Sequence, residues 1–75
     1  MSKITESING QNVVIEGEDD KDNQWYKVTV SIDNNEVMWG GYNYKIGKSL
    51  GMTYLNLDDY MKMMLSNIKK NSTQI

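Results

Sequence analysis

Apolar and polar side chains alternate most regularly between Gln24 and Ile32. Tyr26, Val28, Val30 and Ile32 fall on one face, and Trp25, Lys27, Thr29 and Ser31 on the other. A period of two in a β-branched run predicts a half-buried strand. Upstream, Asn12 to Glu16 reads as a second strand, and Asn9-Gly10 is the residue pair most suited to a type I′ hairpin turn. That turn sets Ile8 against Gln11 and Ile4 against Ile15, and gathers Ile4, Ile8, Val13 and Ile15 on one face. Residues 1–10 therefore read either as a first strand or as a flexible arm. The stretch Gly17 to Asn23 is charged and poor in apolar residues, and reads as an exposed turn or loop.

After Ile32, a turn at Asn34-Asn35 pairs Ile32 with Val37 and Val30 with Trp39. A bulge at Gly40-Gly41 then restores the phase, so that Val28 meets Tyr42, Tyr26 meets Tyr44, and Ile46 extends the same face. Gly47 to Thr53 reads as a loop, with Leu50 and Met52 folding back on the core. Periodicity changes near Asn56. Leu57, Tyr60, Met61, Met64, Leu65 and Ile68 recur at helical spacing. Asn56 is suited to the N-cap, with Asp58 and Asp59 in the first turn and Lys69 and Lys70 in the last. Leu55 and Tyr60 fit a hydrophobic staple, Asn71 can end the helix, and residues 72–75 read as a frayed tail. The expected fold is α+β: one small domain over residues 1–75, a three- or four-stranded antiparallel meander with one C-terminal amphipathic helix packed on one face. The other face stays open and shows Trp25, Lys27, Thr29, Ser31, Met38, Asn43 and Lys45.

Composition narrows the chemistry. The 75 residues contain no Cys, His, Pro or Arg, so thiolate sites and the most common general base and metal ligand are missing. No apolar run is long enough to span a membrane, and Met1 to Glu6 has no apolar signal-peptide segment. Net charge is −2, but residues 1–36 hold eight acids against three lysines, and residues 37–75 hold two acids against five lysines. The excess of Asn, Lys and Ile points to an AT-rich genome, that of a low-GC bacterium or its phage. Asp58-Asp59 is explained by helix capping, and Asp19-Asp20 lies where nothing raises a carboxyl pKa towards acid–base work. Gly47-Lys48-Ser49 lacks the upstream glycine of a phosphate loop, since that position is Tyr42. Glu18 to Asn23 lacks the glycine and final glutamate of a calcium loop. No catalytic residue, metal site or cofactor is expected.

What remains is binding. Glu16, Glu18, Asp19, Asp20 and Asp22, with only Lys21 among them, form an acidic run that either solubilises a turn or imitates a phosphate backbone. Trp25 on the open face either lies over the Lys45 stem or anchors an interface. Met38 and Met63 are exposed adaptable side chains, while Trp39, Tyr42 and Tyr44 are assigned to the core. The stretch Glu18-Asp19-Asp20-Lys21-Asp22-Asn23-Gln24-Trp25-Tyr26 resembles the acidic turn and aromatic pair of small acidic phage-encoded inhibitors that occupy the DNA sites of host proteins. One member of that class inhibits uracil-DNA glycosylase. Another inhibits the replication sliding clamp, and Leu55-Asn56-Leu57 is faintly similar to the hydrophobic centre of clamp-binding peptides. The resemblance implies a non-enzymatic inhibitor in the host cytoplasm, acting on a host DNA-binding protein by acidic DNA mimicry. The sliding clamp is the first target, then uracil-DNA glycosylase or a CRISPR nuclease. It implies no direct contact with nucleic acid or membrane. A different class is a small structural or adaptor protein self-associating through the open face; a third is a weak single-strand or peptide binder at Trp25. A homodimer fits any of them, because so small a sheet buries little.

Overall fold

Asn9 and Gly10, at φ 52° and 78°, close the first hairpin as the sequence predicts. It joins β1 (Ser2–Ile8) to β2 (Gln11–Asp20), with Ile8 opposite Gln11 and Ile4 opposite Ile15. The computed structural model describes residues 2–53 and 55–72, and the side chains of Asn71 and Ser72 are outside the description. Four strands follow one another in the order β1-β2-β3-β4, each antiparallel to its neighbour, with β3 at Trp25–Ile32 and β4 at Asn35–Asn43. The first arm is thus a strand, and the meander has four strands.

The second strand corrects the expectation of a loop from Gly17. β2 runs on to Asp20, pairing Glu18 with Lys27, Asp19 with Tyr26 and Asp20 with Trp25. Only residues 21–24 turn, with Gln24 at φ 54°. Gly17 is not a breaker. It is buried beneath the C-terminal helix, where an added Cβ would lie 2.5 Å from the Met61 sulfur and 3.0 Å from a Leu57 methyl. Glycine in this strand marks a close approach.

The third hairpin differs from the expected one by a residue. Asp33 and Asn34, at φ 50° and 69°, form the turn rather than Asn34-Asn35. The Asp33 N–H donates to the Asn12 carbonyl, and the Asn12 N–H donates to the Asp33 carboxylate, both at 2.9 Å. The register then sets Ile32 opposite Asn35 and Ser31 opposite Glu36, and Val37 bulges so that Val30 meets Met38. The bulge is therefore at Val37, not Gly40-Gly41. Val28 faces Gly40, Tyr26 faces Tyr42, and Trp39 stands opposite Thr29 on the open face, 61% exposed rather than in the core. Met38 moves the other way, to the helix-bearing side of the sheet, because it shares a face with Val30.

The chain leaves β4 through a helical turn, α1 (Tyr44–Ser49), where the sequence reading continued the strand to Ile46. The Asn43 side chain caps it by accepting from the Lys45 N–H at 3.0 Å, and Gly51 at φ 68° follows its end. Asn at an N-cap and Gly in the left-handed region favour this exit over a longer strand. Tyr44 is carried inward. Ile46, Leu50 and Met52 are all exposed and do not fold back on the core. Tyr44 and Tyr42 pack with Tyr26 and Tyr60 in a cluster whose centroids lie 4.8–6.4 Å apart, each of the other three touching Tyr26.

The C-terminal helix, α2 (Leu57–Ser72), packs on β2 and β1. Met61 and Met64 are buried against Val13, Ile15, Val28 and Val30, with Leu57, Tyr60, Leu65 and Ile68 at the margin, as the stripe predicts. Met63 faces outward. Glu6 of β1 and Lys69 of α2 form an ion pair at 2.7 Å. The helix extends through Ser72, past Asn71; residues 73–75 of the expected tail lie outside the described residues. Asn56 is the cap, accepting from the Asp59 N–H at 2.8 Å. Asn56→Ala should cost about 1 kcal/mol, lowering the midpoint of thermal unfolding by roughly 4–8 °C. Calorimetry checks it, and an unchanged midpoint would mean that the cap carries no stability.

Candidate functional site: the acidic end of the second hairpin

The strand register divides the acidic run between two faces. Glu16, Glu18 and Asp20 alternate along the open face of β2, roughly 6.8 Å apart at each step. Asp19 points to the helix-bearing side, and Asp22 lies in the turn. Two of these carboxylates are committed to the fold. The Tyr44 hydroxyl donates to Asp19 Oδ1 at 2.8 Å, tying α1 to β2. Asp20 organises the turn: its Oδ1 accepts from the Asn23 N–H at 3.2 Å, and its Oδ2 accepts from the Asn23 side-chain amide at 2.8 Å and from the Trp25 indole N–H at 3.1 Å.

Trp25 is positioned by this bond and by Gly41. The indole lies over the glycine, where a Cβ would stand 2.7 Å from the ring. The ring covers Gly41, and Lys45 lies in the first turn of α1. Half-buried and held at both ends, Trp25 presents one face to a shallow depression of about 360 Å³ lined by Glu18, Asp19, Asp20, Lys21, Asp22, Trp25 and Lys27.

The charge pattern is not an unbroken anionic strip. Lys3 stands opposite Glu16, and Lys27 opposite Glu18, so cross-strand neutralisation tempers the middle of the face. Negative charge concentrates at the hairpin end, where Asp19, Asp20 and Asp22 surround Lys21. Glu16, Glu18 and Asp22 are exposed. Of the other expected contact residues, Met38 lies on the opposite side of the sheet and Met63 on the outer face of α2, so neither shares this surface with Trp25.

Hydrogen bonds to the Asn23 side chain, to the Trp25 indole and to the Asn23 backbone, in that order, hold the Asp20 carboxyl below its ordinary 3.8. A depressed folded-state pKa contributes stability that is present above the unfolded value and disappears as pH falls through the folded one. Asp20→Asn should therefore destabilise the protein at neutral pH, and the gap from the parent should close at an acidic pH below the folded-state pKa, where the Asp20 carboxyl is protonated. Urea unfolding at the two pH values measures it; a gap unaffected by acid would mean that the charge of Asp20 is not what its donors stabilise.

Among the described residues, no group of acids could hold a metal ion, and no helix is long and apolar enough to cross a membrane. The arrangement offers a rigid, charged contact surface. Set against known protein families, curated proteins and solved structures, the chain matches none of them.

Proposed function

We propose that this chain is a non-enzymatic binding protein that engages a basic surface on its partner through the acidic end of the β2–β3 hairpin. In its specific form it is a phage-encoded inhibitor that occupies the DNA site of a host protein in the host cytoplasm. One observation carries this reading. Glu18, near the end of β2, and Asp22, within the turn that Asp20 and Trp25 brace, are both exposed. The bracing fixes the backbone from which these carboxylates project, so little backbone ordering opposes binding. The spacing along the open face of β2 is comparable to that of successive phosphates on one nucleic acid strand. A positively charged groove would draw such a surface in and raise the association rate.

The partner class follows from charge: a host protein whose function depends on a Lys/Arg-lined DNA channel. The sliding clamp leads, followed by uracil-DNA glycosylase and a CRISPR nuclease. Fluorescence anisotropy of labelled DNA on each purified protein tests the proposal. Displacement of DNA by this chain from at least one supports it; no displacement from any of the three would remove DNA-site inhibition as the function. Self-association is the second reading. The open face is largely charged and hydroxylated, with Trp25 and Trp39 as its large apolar side chains, so the sheet edge is the better place to look for it.

A further inference from the structure

We propose that β4 pairs edge to edge with β4 of a second copy of this chain, over the regular stretch Met38–Tyr42, making one continuous eight-stranded sheet. The proposal is independent of the acidic hairpin end, and three observations carry it. First, β4 is an outer strand, and from Val37 to Asn43 it has no charged side chain and no proline. Natural edges are usually blunted by such residues. Here the only blunting feature is the bulge at Val37, which lies outside the stretch. The other edge, β1, carries Lys3 and Glu6, and Glu6 is tied to α2.

Second, the apolar side chains of this edge lie open. Val37, Met38 and Trp39 are 53%, 48% and 61% exposed: Trp39 stands on the face that carries no helix, and α2, which packs mainly on β2 and β1, reaches β4 at Gly40 and Tyr42.

Third, the stretch is self-complementary. A two-fold axis at Gly40, perpendicular to the sheet, pairs like faces, as antiparallel strands require. It sets Trp39 opposite Gly41 of the second copy, whose bare open face already holds the Trp25 ring, so two indoles would meet there. On the other face Met38 falls opposite Tyr42, extending the tyrosine cluster across the axis. No like charges oppose one another.

Sedimentation equilibrium and cross-linking test this together. The parent should show a mass approaching twice 8.6 kDa as concentration rises, and Trp39→Lys should sediment as a folded monomer by circular dichroism. The chain contains no cysteine, so Val37→Cys, just outside the pairing stretch, and Ser7→Cys each introduce a single thiol, one per sheet edge. A bis-maleimide that reaches about 20 Å, the offset of six strand residues, should couple two Val37→Cys chains and leave Ser7→Cys chains uncoupled. A parent that stays monomeric at every concentration, or a dimer that couples through Ser7→Cys and not Val37→Cys, would overturn the proposal. If Trp39→Lys does not fold, the parent mass and the coupling pattern still decide it.

Discussion

Tyr26→Ala is expected to remove about 3–5 kcal/mol of stability, by analogy with other large aromatic truncations in cores. Tyr26 is 4% exposed and touches Tyr42, Tyr44 and Tyr60. Its ring therefore joins β3, the end of β4, α1 and the first turn of α2. A domain of this length holds roughly 4–11 kcal/mol in total, so the variant should lose a quarter or more of that. Tyr26→Phe keeps the ring contacts and should lose no more than about 1.5 kcal/mol. Urea denaturation of the three proteins checks both numbers. A Tyr26→Ala cost below about 1 kcal/mol would mean that the tyrosine cluster is surface decoration and that Tyr44, with α1, is not held by packing.

Gly17→Val acts by the opposite mechanism, overfilling a space instead of emptying one. An added Cβ would lie 2.5 Å from the Met61 sulfur, and Met61 is fully buried in the cluster with Ile15 and Val28, so its side chain must shift within packed surroundings. Overpacking of this kind costs about 1–3 kcal/mol, a fall in unfolding temperature of roughly 5–20 °C for a chain of this size. The strain has a named partner, so it should be coupled. Met61→Ala alone leaves a cavity, and combining it with Gly17→Val should cost clearly less than the sum of the two. Strict additivity by calorimetry would show that α2 does not press on β2 at this glycine.

Gly17 also shows where a single sequence stops being informative. A glycine followed by acids has the composition of a loop, but it has the same composition as a strand whose outward positions are charged and whose glycine admits a helix. Which holds depends on α2, forty residues away in sequence. The elements specified by local chemistry were legible. The period of β3, the Asn9-Gly10 turn, the Asn56 cap and the stripe from Leu57 to Ile68 all stand as the sequence predicts. The third hairpin was not, because two registers each placed tyrosines on the inner face. The structure adopts the one that puts positive φ on Asp33-Asn34, bulges at Val37, and uses Gly40 and Gly41 as bare surfaces for Tyr60 and Trp25. That choice exposes Trp39, which the alternation assigned to the core. Asn43 carried a readable signal as a helix cap, hidden by the aromatic alternation on either side of it.

The candidate site was legible as composition but not as geometry. The sequence shows five acids close together. Only the register shows that Asp19 and Asp20 brace the fold while Glu16, Glu18 and Asp22 face outward. This division fixes which substitutions probe binding without disturbing the hairpin.

The central claim is that charge at this hairpin end makes the contact. Its most direct measurement is the affinity of the chain for the purified sliding clamp across a salt series, for the parent and for the variant E16Q/E18Q/D22N. Three fewer negative charges on an exposed surface should weaken binding at low salt at least tenfold, about 1.4 kcal/mol, and flatten its salt dependence. Binding that ignores both salt and the three substitutions would contradict the account, and no binding at any salt would remove the clamp as its target.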